Sequence, residues 1–205
     1  MEVATGKTDN ESRVKGRIGN DLAEHTIVVK HSDGLYRHWR CQKPGTWNMG
    51  FDIITWPGSL CYTGDMGDYL FQRTPDMVSF MRGSCMSYSY AAEKCVAHDG
   101  RLKEFREELF EVALLDRLKE SEDNGGTFRV MRGERCVDES VADAIDDIRR
   151  AYSEYNTQND AMKAMYESGL WDGADLPSCE DYTFHFLWCL HAIKWFTQQL
   201  SEQAE

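Results

Sequence analysis

The sequence predicts an α+β protein in which an N-terminal antiparallel sheet of about five short strands packs with a C-terminal helical region. Three observations predict it. Between residues 25 and 73 each apolar run is only four to six residues long and is closed by glycine or proline, the punctuation of a strand meander. Beyond residue 100 the apolar spacing changes to three and four, the period of helices. With 41% hydrophobic residues and six Trp, nine Tyr and nine Phe among 205, the chain also has the apolar material for one substantial core.

Residues 1–23 read as a flexible leader, because MEVATGKTDNESRVKGRIGN is polar and sustains neither period. A single domain is expected over 24–205, strand-rich to about residue 73 and mainly helical thereafter, with a division near residue 100 as the alternative. HTIVVKHSDGLYRHWRC reads as a strand from His25 to His31, a turn at Ser32, Asp33 and Gly34, and a returning strand from Leu35 to Cys41. The Asp-Gly pair tolerates the positive φ that a tight hairpin needs. FDIITW, SLCYTG and YLFQR follow, separated by Pro57-Gly58 and by an acidic glycine turn from Asp65 to Asp68. Leu35, Trp39, Phe51, Ile53, Leu60, Tyr62, Tyr69 and Phe71 are the candidate core side chains of these strands.

Thr74 and Pro75 fit the cap and first position of a short helix ending at residue 82. Residues 83–99 carry no sharp assignment. RLKEFREELFEVALLDRLKE, residues 101–120, is the clearest helix, with Leu102, Phe105, Leu109, Val112 and Ala113 at helical spacing. Further helices are expected at about 139–152 and 160–167. The last, from about Tyr182 to Leu200, is apolar nearly all round, which suits a central or interface helix.

Thirty-five acidic side chains outweigh 23 basic ones, and residues 101–205 carry 23 of the acids against twelve bases. That balance opposes default binding to a nucleic acid backbone and suits either solubility or a field presented to a basic partner. Asp143, Asp146 and Asp147 stand on the polar side of the 139–152 helix. Seven cysteines without a secretory apolar region suit a reducing compartment, and no apolar run reaches the length of a membrane span.

The candidate chemistry is sparse. Asp52, Asp65 and Asp68 could supply carboxylates to a hard cation, and glycines beside the last two let backbone amides approach a ligand, although ordinary turn chemistry also explains them. His31, His38 and Cys41 could meet across the first hairpin as nitrogen and sulfur donors, but short Cys-x-x-Cys pairs are absent. Cys95 with His98, and His185 with Cys189, place thiols near imidazoles without an orienting third group. Glu107, Glu108 and Glu111 are explained by a solvated helix face. Phosphate-loop, dinucleotide, zinc-protease and nucleophile-elbow strings are all missing. Lys30, Arg37, Arg40, Lys43, Trp39 and Trp47 give one foothold for single-stranded nucleic acid, which the surrounding acids weaken.

HTIVVKHSDGLYRHWRC, FDIITWPGSLCYTGDMGDYLFQRTPDM and FHFLWCLHAIKWF together resemble a family of uncharacterised bacteriophage and prophage proteins. These share a strand-rich front with TWPG and GDMGDY elements and a Trp-Cys-containing terminal helix. The resemblance covers residues 25–82 and 182–196 and supplies no catalytic residue. It implies a phage context in the host cytoplasm, where a small acidic accessory protein modulates host machinery or a host defence.

The leading expectation is therefore a non-enzymatic, phage-associated protein that binds and blocks a host or phage protein, such as a basic nucleic-acid-handling component. It uses no cofactor or metal, and its binding candidates are Trp39, Trp47, Asp65, Asp68, Asp143, Asp146 and Asp147. Direct nucleic acid and membrane binding are disfavoured. Two alternatives stand beside it: a metal-dependent hydrolase using Asp52, Asp65 and Asp68, and a structural homo-oligomer formed through the C-terminal helix.

Overall fold

A computed structural model describes residues 10–83, 87–122, 125–155, 158–171 and 175–202. In chain order the elements are α1 (Asn10–Asp21), β1 (Thr26–Asp33), β2 (Tyr36–Gln42), β3 (Phe51–Trp56), β4 (Ser59–Gly64), β5 (Gly67–Gln72), α2 (Met77–Arg82) and α3 (Tyr88–Lys94). There follow β6 (Cys95–His98), β7 (Lys103–Phe105), α4 (Glu107–Glu122), β8 (Thr127–Arg132), β9 (Arg135–Ser140), α5 (Val141–Tyr155), α6 (Gln158–Ser168), β10 (Glu180–Tyr182) and α7 (Phe184–Glu202). The protein is α+β, as its turn and helix periods predict.

The chain divides into two compact units. The first combines Met1–Glu104 with Tyr182–Glu205, and the second is Phe105–Asp181. The boundary after Glu104 falls near the division at about residue 100 that the sequence offered as the alternative, and α7, far along the chain, returns to the first unit.

In the first unit, β1 to β6 form one antiparallel sheet in sequence order. Asp33-Gly34, Pro57-Gly58 and the 64–67 turn reverse the chain, and Gly34, Gly58 and Gly67 all take positive φ there. The register aligns Trp39, Ile53, Tyr62 and Tyr69 across four strands. Since side chains alternate between faces, this line fixes one apolar face, to which Cys41, Phe51, Leu60 and Phe71 also belong. Phe186, Trp188, Cys189, Ile193 and Phe196 of α7 complete that core.

The leader expectation needs correction over residues 10–21, which form α1. Val14 and Leu22 are buried in the same core, with Ile18 packed against it, a stripe at intervals of four on an otherwise polar helix. Residues 1–9 lie outside the described residues. The short helix is also shifted: Asp76, rather than Thr74, caps α2, accepting the Val78 and Ser79 amide N–H groups on Oδ1.

The helix expected over 101–120 begins later. The Leu102 carbonyl accepts from the Thr183 amide, residues 103–105 form β7, and α4 starts at Glu107. Phe110 and Leu114 are its buried apolar side chains, while Leu109 and Val112 are exposed, because an apolar helix offers more than one stripe and packing selects the phase. The sequence reading also missed the β8–β9 hairpin, which turns at Gly133 with φ 64°. In α5, Val141, Ala144, Ile145, Ile148 and Tyr152 are buried, a stripe at helical spacing, and they share the second core with Phe110, Leu114, Ala161 and Met165.

Candidate functional site

Of the aromatic candidates, Trp39 is 5% exposed. It packs edge-on against Phe196 and lies under the Arg37 guanidinium, so it is a core side chain. Trp47 is 42% exposed on the β2–β3 connection, with the Arg40 guanidinium 5.1 Å from its ring centre. Asp65 and Asp68 are exposed at the β4–β5 turn. Asp65 Oδ2 accepts the Met49 amide N–H at 2.9 Å, a structural use of that carboxylate.

The hydrolase alternative does not find its geometry. Asp52 is 7% exposed, and its two oxygens accept Arg40 Nε, Arg40 Nη2 and His38 Nε2, each at 2.9 Å. Burial pushes the Asp52 carboxyl up, but the bonds from Arg40 and His38 outweigh it and hold the group below its ordinary value. Thr63 stands between Asp52 and Asp68 in the strand register, which separates the two backbones by about 10 Å. Among the described residues, no group of three or more His, Cys, Asp or Glu is placed to hold a metal ion.

The His31, His38 and Cys41 set is likewise split. His31 and His38 face each other across β1 and β2, whereas Cys41 pairs with Ile27 on the opposite, buried face. Burial pushes the thiols of Cys41 and Cys189 well up and that of Cys95 to about 11, which opposes thiolate chemistry. Three of the four cations of the basic foothold on the first hairpin are paired: Arg37 binds Asp76, Arg40 binds Asp52 and Lys43 binds Glu24.

The second unit carries twenty acidic side chains and nine basic ones, a net of −11 out of −12 for the chain. Among the described residues, eight of those nine cations form ion pairs within the unit, among them Arg149 with Glu111 and Asp146, and Arg150 with Asp147. Pairing therefore leaves a surplus of carboxylates and little free positive charge. No protein-family model, curated protein or solved structure matches the chain.

One cleft gathers part of this surplus. It encloses about 630 Å³ between β9, α5 and α6, with Ala144, Ile148, Ala151 and Ala164 along its wall and Glu139, Asp143, Asp147 and Glu167 around it. Arg132 occupies one corner, held bidentately by Glu139 at 2.7 Å on each arm and donating from Nη2 to the Ser168 carbonyl at 3.2 Å. Ser140 Oγ accepts the Asp143 amide N–H and so caps α5, which sets Asp143 in the first turn, where the helix dipole favours a carboxylate. Asp143 has no cation within ion-pair distance among the described residues. Asp146 lies outside the cleft, beside Arg149.

Asp143 and Asp147 thus line one cleft of the second unit, whereas Trp47, Asp65 and Asp68 belong to the first. Sequence reasoning missed Arg132, Glu139 and Glu167. The signal that could have found the first two is the Gly133-Glu134 turn between two short alternating runs, which marks a hairpin.

Proposed function

We propose that the chain is a non-enzymatic, phage-associated accessory protein whose acidic second unit binds and blocks a basic host or phage protein, such as a nucleic-acid-handling or defence component. The phage context rests on the TWPG and GDMGDY resemblance alone. The binding reading rests on one observation: nearly the whole net charge lies in residues 105–181, where internal pairing has already consumed eight of nine cations. Such a field speeds encounter with a basic surface and repels nucleic acid. The α5–α6 cleft suits a lysine or arginine side chain, whose aliphatic stem lies along Ala144, Ile148 and Ala151 while its charge meets Asp143 and Asp147.

The test is titration of the full chain with an arginine-rich peptide at rising salt, followed by the Asp143→Asn/Asp147→Asn variant. Wild-type affinity should fall steeply with salt, and the variant should bind at least about tenfold more weakly at low salt, one decade being 1.4 kcal/mol. Equal affinity of wild type and variant would remove the cleft from the mechanism. Recovery of the bound component from host cells, with the same variant as control, identifies the partner.

A further inference from the structure

His25 sits at the entrance to β1, its ring stacked on Phe51 at 6.5 Å and edge-on to Trp195 at 6.4 Å. Its Nε2 lies 3.1 Å from the Met49 carbonyl. A carbonyl only accepts, so Nε2 carries the proton and Nδ1 is the bare nitrogen. Nδ1 is buried and has no hydrogen-bond partner among the described residues. This seat suits the neutral ring and no other form, since protonation would add an unmatched N–H and a charge between two aromatic rings.

The bond from His25 bears on a strained turn. Met49 has φ 55°, the one positive value at a non-glycine among the described residues, and it is gripped on both sides: its amide donates to Asp65 and its carbonyl accepts from His25. Gly50 N donates to the Trp47 carbonyl at 2.7 Å, and the Gly50 carbonyl accepts from Asp65 N. A Cβ on Gly50 would stand 2.9 Å from the Trp47 ring, so that indole lies directly on the Gly50 backbone. His25, Met49 and Asp65 together thus decide how the exposed Trp47 is held.

We propose that His25 is an acid-sensitive catch on the 46–50 loop: neutral, it holds Met49 and with it Trp47; protonated at Nδ1 by a proton from water, it leaves its seat and frees the loop. The charges facing the ring are few. Asp21 at the end of α1 favours protonation but is already bound by Trp188 Nε1 at 3.0 Å and Arg17 at 3.6 Å. Lys43, beyond β2, opposes it and is bound to Glu24. β3 and α7 present the uncharged Phe51 and Trp195. Burial is the main influence, and it holds the ring's pKa below the ordinary 6.5, with the Met49 bond and Asp21 acting in the other direction.

The experiment uses the full chain and two independent readouts: the His25 titration midpoint from ring proton shifts, and amide exchange at Met49 and Gly50, corrected for the intrinsic pH dependence. If the catch is real, the midpoint lies below 6.5, and exchange at both amides accelerates as pH falls from 6.5 towards that midpoint and levels off below it. By linkage the limiting acceleration should be tenfold for every unit of depression, so the two measurements must agree. His25→Gln keeps a side-chain N–H for Met49 but cannot titrate, and should flatten the exchange profile. His31→Gln, at an exposed β1 position, should leave it unchanged. An unaltered loop across the His25 titration, a midpoint at or above 6.5, or the same acceleration in His25→Gln would overturn the proposal.

Discussion

Replacing Phe186 by alanine tests whether α7 is the centrepiece of the first unit. The ring is fully buried, with centroids of Tyr69 and Tyr182 at 5.6 Å and of Phe71 at 6.5 Å. Truncation removes most of the side chain from a site walled by β5, which is braced by sheet pairing and cannot collapse inward. Cavity-forming Phe→Ala changes cost about 3–5 kcal/mol, and the rigid wall places this one near 4 kcal/mol. With a urea m-value of roughly 2 kcal/mol per molar, the midpoint should fall by about 2 M. Urea unfolding followed by exchange protection of β4 and β5 amides is the assay. A fall below about 0.5 M at unchanged m would show that Phe186 is not enclosed and would refute the packing of α7 on the sheet.

Two glycine substitutions should act in opposite directions. A Cβ on Gly64 would stand 2.4 Å from the Gly50 carbonyl and 2.7 Å from Phe51 Cα, both backbone, so Gly64→Ala should destabilise by more than about 2 kcal/mol. Gly16 lies in α1 with open space around it, and Gly16→Ala should stabilise by up to about 1 kcal/mol, read as a rise in thermal midpoint. Acid should weaken the fold in two steps. His25 and His191 are depressed mainly by burial, so the unfolded chain binds their protons first and stability falls as pH drops below 6.5 towards their folded values. Asp52 and Asp76 are held below 3.8 despite burial by bonds from Arg37, Arg40 and their neighbours, so their contribution is present above 3.8 and lost as pH falls through the lowered values. Urea midpoints measured from pH 8 to pH 3 should show both descents, and a flat profile from 8 to 5 would contradict the histidine burial.

The sheet was legible because its turns are chemically explicit. Asp33-Gly34 and Pro57-Gly58 mark reversals, and the alternation of Phe51, Ile53, Leu60 and Tyr62 sets one face. α1 escaped notice because three aliphatic side chains spaced by four, Val14, Ile18 and Leu22, do not outweigh a polar composition unless a receiving surface is known. The clamp on Asp52 was hidden for a related reason. Arg40 and Asp52 are twelve residues apart, and only the β2–β3 register sets them opposite each other. Asp143 and Asp147 could be read as exposed from helical period, but the β8–β9 hairpin that brings Arg132 and Glu139 to them required a turn signal that charged neighbours obscured.

The position of α7 also sets a schedule for synthesis. The six strands are complete on the ribosome once His98 has emerged, yet the helix that roofs their greasy side begins at Phe184. At ordinary elongation rates the wait is on the order of 10 s. During that interval Phe51, Tyr62 and Phe71 have no lid, and a chain released before Phe184 would keep them bare. Nascent chains stalled at that point should therefore engage chaperones or clump, while those extended through Glu202 should not.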